Sequence, residues 1–141
     1  MHRRARNRLC LWLILLGLAN FLCYAAGYAV VCGDARNGGR RPDGQFYVRG
    51  HHFRFPGGRE TDVSRGVWIY SYLHSITIWP SIAAVLLAMM LLARPHLIAT
   101  YRDGAFVGAA FWNILAVVIL LLTLALTAFF VSDFIRLLLA V

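Results

Sequence analysis

The sequence predicts an all-α membrane protein: three transmembrane helices, with a hydrophilic loop between helices 1 and 2 that has room for a short β-hairpin. Three observations lead there. Of the 141 residues, 60% are hydrophobic, whereas soluble domains are normally about 45–50% apolar. The apolar residues gather into three runs, 9–31, 67–93 and 105–131, and nearly all the charge lies between them. Each run is long enough to cross a bilayer, because a helix rises about 1.5 Å per residue and roughly 20 apolar residues match a hydrocarbon core of about 30 Å. Tilt or interfacial overhang absorbs the surplus.

Residues 1–8 form a basic tail containing Arg3, Arg4, Arg6 and Arg8. With Ala25, Ala26 and Gly27 downstream, the start has the outline of a cleavable secretion signal. The apolar run argues against cleavage. It exceeds the 7–15 or so residues of a signal's apolar region, and it carries Trp12 near its start and Tyr24 and Tyr28 near its end, as an anchored span does. The first transmembrane helix is therefore expected over 9–31, entered from about Arg8. Cys10 and Cys23 would stand about 20 Å apart on it, too far to bridge. Cys32 is expected to be a buried or interfacial bystander rather than a free thiol or an intermolecular link.

Residues 32–66 read as a loop that opens with the turn-rich Gly33, Asp34, Asn37, Gly38 and Gly39. Its middle, 45–55, sets aromatic and β-branched residues around Gly50-His51, and Pro56-Gly57-Gly58 closes it, a pattern that suits a hairpin. An isolated hairpin is marginal in water, so it would lean on the membrane or on another subunit. Thr61, Asp62 and Ser64 are N-cap candidates for the second helix, 67–93. Pro80 should kink that helix. It should end at Arg94-Pro95, because proline disfavours helical geometry in the residue before it. A short connection, 94–104, then leads to the third helix, 105–131. An interfacial tail follows over 132–141, where Asp133 and Arg136 are spaced for a local ion pair.

The formal charge of +8 comes from fourteen arginines and no lysine. No basic helix or aromatic platform stands apart from the apolar runs, so no nucleic-acid partner is expected. With the N-terminus inside, the inner segments carry six arginines and the outer ones eight. Four of the six directly flank the first span, where the effect is strongest, while the loop spreads seven over 35 residues. The expected placement is a bacterial inner membrane with the N-terminus cytoplasmic and the loop outside.

On the second span Tyr70, His74, Thr77 and Ser81 recur at helical spacing and share one face. An imidazole in hydrocarbon needs a partner. A proton-accepting, quinone-facing or metal-binding role is one reading of His74. The favoured one is structural glue, hydrogen-bonded to Tyr70 or a neighbouring helix, since no second histidine lies within a span to complete a haem or metal pair. Gly17, Asn20, Tyr24 and Tyr28 on the first span, and Ala109, Asn113, Ala116, Thr123 and Thr127 on the third, make stripes where helices approach and bond. Asn20, Tyr24, Tyr70, His74, Thr77 and Asn113 thus form the candidate intramembrane polar cluster.

His51-His52 with Asp43, Glu60 and Asp62 make a weak metal candidate. Adjacent histidines on a strand point to opposite sides, and the spacing of zinc ligands is missing. No Walker loop, nucleophile elbow or dinucleotide fingerprint occurs. No catalytic residue, metal or cofactor is therefore expected. The expected partners are the lipid bilayer and other membrane subunits, or self-association. By subtraction the expected role is that of a non-enzymatic accessory or assembly subunit of a membrane complex, with the loop as its recognition surface. The alternative is a redox or transport component with a polar site around His74. A pore-forming lysis protein or toxin fits three short spans, but the ordered-looking loop disfavours it.

Overall fold

The computed structural model describes residues 3–50, 58–100 and 109–139. The order of elements is α1 (Arg3–Val31), β1 (Asp34–Arg40), β2 (Phe46–Gly50), β3 (Arg59–Val63), α2 (Arg65–Thr100) and α3 (Ala109–Leu139). All three helices are long and apolar enough to cross a membrane by length and composition. Within the most apolar stretch of each, only 6, 11 and 6% is buried by the chain itself. The chain itself thus leaves most of the apolar surface of these stretches uncovered.

α1 begins inside the basic tail, and its end is closed by a Schellman turn. Cys32 takes the left-handed conformation (φ 59°), and the Gly33 N–H reaches back to the Tyr28 carbonyl at 3.0 Å, satisfying a carbonyl the helix would otherwise leave open. Gly33 is also where the backbone of β2 passes. A Cβ there would lie 2.5 Å from the Arg49 carbonyl carbon and 2.6 Å from the Gly50 nitrogen, so no side chain fits.

The segment between α1 and α2 is a three-stranded antiparallel sheet in the order β1-β2-β3, in place of the two-stranded hairpin predicted over 45–55. β2 occupies the first predicted strand. Its partner is β3, paired Phe46 to Val63 through Gly50 to Arg59; residues 51–57 lie outside the described residues. β1 falls where the sequence suggested an irregular exit. It pairs Gly39 to Tyr47 and Arg40 to Phe46, with an irregularity between Asp34 and Gly39. The β1–β2 turn is built by Arg41-Pro42-Asp43-Gly44. Gly44 N–H donates to the Arg41 carbonyl at 2.9 Å, the Asp43 carboxylate accepts the Gln45 N–H at 3.0 Å, and Gly44 supplies a positive φ, each residue in the role its chemistry favours.

Ser64 alone separates β3 from α2. Its hydroxyl accepts the Val67 N–H at 3.4 Å and its carbonyl accepts the Trp68 N–H at 3.0 Å, which makes it the N-cap. Thr61 and Asp62, the other cap candidates, lie in β3. α2 does not stop at Arg94. It runs through Pro80 and Pro95 to Thr100. Proline removes one backbone donor and disfavours the helical region for its predecessor, but it does not forbid it. α3 likewise continues past Val131 to Leu139.

By contacts the chain forms two compact units, each described by itself. One comprises Phe21–Ile78 and Ala128–Val141. Its core is Ala35, Val48, Trp68 and Tyr72, all fully buried, with Phe46, Val63, Ile76 and Phe134 packed around them. Trp68 lies 5.2 Å, centroid to centroid, from both Phe46 and Tyr72 and stacks on Phe134 at 6.1 Å. These ring contacts seat one face of the sheet on α2 and the end of α3. The other unit comprises Met1–Asn20 and Trp79–Thr127. In it Asn20 Nδ2 donates to Ser81 Oγ at 2.8 Å, and Cys10, Ala83 and Ala88 are buried.

Candidate functional site

Six polar side chains of the sheet-bearing unit converge on a small recess formed by Tyr24 and Tyr28 of α1, Asp34 of β1, and Tyr70, Ser71 and His74 of α2. The helical repeat of α2 brings Tyr70 and His74 to one side, and the Schellman turn delivers Asp34 to them. The Tyr24 hydroxyl donates to Asp34 Oδ2 at 2.8 Å, and the second carboxylate oxygen accepts the Asn37 N–H at 2.9 Å. Asp34 is 6% exposed, and these two donors compensate its burial. The His74 ring meets the rings of Tyr24 at 5.7 Å and Tyr70 at 5.6 Å, both nearly edge-on. Ser71 Oγ accepts the Ala35 N–H at 3.0 Å, pinning the start of β1 to α2.

The recess encloses about 20 Å³, enough for one water and for no organic substrate. Chemically it joins a buried carboxylate, a phenol and an imidazole over a short distance.

Of the six sequence-predicted cluster residues, Tyr24, Tyr70 and His74 meet here. Thr77 donates to the His74 carbonyl at 2.8 Å, a bond within its own helix, and is exposed. Asn20 bonds Ser81 and Asn113 lines a separate cavity with Arg94 and Trp112, both in the other unit. Sequence reasoning missed Asp34 and Ser71 as members of the recess. It also paired Asp133 with Arg136. Instead, the Tyr72 hydroxyl donates to Asp133 Oδ2 at 2.6 Å. None of the ion pairs among the described residues involves Arg136. The buried phenol across the packed rings outcompetes an exposed arginine, whose ion pair would be worth little.

Those ion pairs all lie on the sheet and its β1–β2 turn. Arg41 bonds Glu60 at 3.1 Å and Asp62 at 2.9 Å, and Arg49, directly opposite Glu60 in the register, pairs with it as well. The hydrogen bonds from Arg49 and Arg41 hold the Glu60 carboxyl below its ordinary range, and the same bonds raise both guanidinium values. Glu60 and Asp62, members of the weak metal candidate set aside above, are engaged by arginine; His51 and His52 lie outside the described residues. Among the described residues, no three His, Cys, Asp or Glu side chains come together as metal ligands. No protein-family model, curated protein or solved structure matches the chain.

Proposed function

We propose that this is an integral membrane protein of the bacterial inner-membrane type, with a cytoplasmic N-terminus and the sheet outside. There it serves as a non-enzymatic accessory or assembly subunit that presents the outer face of the sheet to a partner. The observation that carries the reading is the pairing of a firmly seated sheet, charged on its outer face, with helices whose apolar surface the chain leaves uncovered. Lipid or neighbouring subunits satisfy the helices, and the Arg41–Glu60–Arg49 ladder offers a fixed charge pattern, which gives a contact specificity more than affinity. The four N-terminal arginines favour the stated orientation.

The test is extraction in mild detergent followed by identification of co-purifying proteins. A stoichiometric partner is expected, and Arg41→Glu with Arg49→Glu should release it while the protein stays in the membrane fraction. Recovery of the chain as a folded monomer without detergent or lipid would refute the membrane reading. A C-terminal reporter active only outside the cytoplasm should be active.

A second reading, a redox or transport component, is favoured by the contact of His74 with Tyr24 and Tyr70 beside the buried Asp34. His74→Gln separates the two. Lost assembly identifies structural glue; intact assembly with lost activity identifies a working site.

A further inference from the structure

In the unit formed by Met1–Asn20 and Trp79–Thr127, a half-open cavity of about 190 Å³ lies among Leu87, Met90, Leu91, Arg94, Trp112 and Ala116. It is larger than an engineered apolar cavity of about 150 Å³ that binds benzene, and its lining is almost wholly apolar. Two features set it apart from a packing defect. Arg94, at the boundary of the α2 apolar run, brings a permanent positive charge and forms no ion pair among the described residues. Trp112 holds a buried indole N–H with no acceptor among the described residues, and a buried donor left unpaired is costly. Asn113 adds an amide at the rim. The cavity therefore combines a slot for hydrocarbon with a cation, and one tryptophan of its lining carries an unpaired donor.

We propose that this cavity binds an anionic phospholipid: an acyl chain lies along Leu87, Leu91 and Ala116, and the phosphate is held by Arg94 and the Trp112 N–H. Charge complementarity selects the occupant. A neutral lipid leaves the guanidinium without a counter-charge, a zwitterionic one sets its own ammonium beside the phosphate in competition with Arg94, and a soluble anion leaves the apolar slot empty. Arginine suits phosphate through its paired donors, and tryptophan suits the headgroup level, where one end of the ring is apolar and the other meets polar groups. Basic pockets between membrane helices on the cytoplasmic side hold such headgroups, and the orientation proposed above puts Arg94 on that side. The inference rests on the membrane reading.

The test uses the full chain in mild detergent, titrated with phosphatidylglycerol and with phosphatidylcholine of the same acyl chains, with bound lipid counted by native mass spectrometry. The wild type should prefer phosphatidylglycerol by about tenfold, the size expected for a charge-assisted hydrogen bond. Arg94→Gln should bring the preference close to one. Trp112→Phe keeps the ring but removes the donor and, since both lipids carry the phosphate, should weaken both while leaving the preference set by Arg94. Leu91→Trp fills the slot and should weaken both lipids. Glycerol phosphate at matched concentration should not displace the lipid.

Equal binding of the two lipids by the wild type would overturn the proposal, as would an unchanged preference in Arg94→Gln or full displacement by glycerol phosphate. If Arg94→Gln fails to fold, the salt dependence of the wild type decides, and a preference for phosphatidylglycerol that added salt leaves unchanged overturns it. A protein that sits in the membrane yet shows no preference defeats this proposal only; a chain that stays soluble without detergent defeats both.

Discussion

Tyr72 of α2 and Asp133 of α3 are 61 positions apart in sequence and share a hydrogen bond of 2.6 Å, with the fully buried phenol as donor. It is the polar fastening of the aromatic core formed by Trp68, Tyr72 and Phe134. Tyr72→Phe leaves the ring in place but deprives the carboxylate of its donor, and should cost about 1–3 kcal/mol. Asp133→Asn should cost less, because the amide carbonyl still accepts. Reversible unfolding in mixed detergent micelles measures both. A double-mutant cycle with no coupling between the two positions would contradict the structure.

The start of β1 depends on Ser71, whose hydroxyl accepts the Ala35 N–H at 3.0 Å while Ala35 is fully buried. Ser71→Ala should orphan that N–H at a cost of about 1–3 kcal/mol. The expected signature is local: faster hydrogen exchange at Ala35, with the β2–β3 amides left protected. Uniform acceleration across the sheet would mean instead that Ser71 supports the whole unit.

Gly17 of α1 faces α2 so closely that an added Cβ would collide with Val85 Cγ2 and lie 3.3 Å from the Ser81 carbonyl oxygen. Alanine is favoured over glycine in a helix by about 1 kcal/mol, so the sign of Gly17→Ala is set by whether Val85 can yield. Valine is stiff at χ1, and the substitution should destabilise the chain and weaken the Asn20–Ser81 bond. In a Val85→Ala background the same change should be neutral or stabilising. Thermal unfolding of the four variants checks the reversal.

Glu60 gives the sheet its acid response. Its carboxyl is held below the ordinary 4.5 by Arg49 and Arg41, so the folded value lies under the unfolded one. The ladder's contribution is therefore complete above about pH 4.5, and it is lost as pH falls through the lowered folded value. A ¹³C-labelled Glu60 carboxyl should titrate below 4.5 and move up in added salt, because the site is exposed. Glu60→Gln should flatten the sheet's acid unfolding profile.

The helices were legible because their signal is collective: runs of more than twenty apolar residues are visible whatever any one residue does. Their ends were less so, because the proline rule at Arg94-Pro95 is a local preference that a long apolar helix overrides. The sheet was half legible. Phe46–Gly50 showed the expected residue types, whereas Asp34–Arg40 is glycine-rich and polar and looked like a turn. The signal that would have found it was Arg41-Pro42-Asp43-Gly44, a turn sequence followed by a clear strand. The recess was partly legible: helical spacing aligns Tyr70 with His74, but nothing local announces that Asp34 returns to Tyr24, since that contact is made by the Schellman turn at Cys32. The Tyr72–Asp133 bond joins residues whose neighbours in sequence hold no trace of each other.

The joints between sheet and helices are very short: Cys32-Gly33 on one side and Ser64 on the other. A helix advances about 100° per residue, and a strand inverts its side chains at each step. With a single residue between β3 and α2, the two periodicities are phase-locked. Inserting one amino acid beside Ser64 would rotate Trp68, Tyr72 and His74 together by more than a quarter turn while Val48 kept its place. An insertion of the kind tolerated at most surface connections would therefore disturb the packing of this unit at this joint.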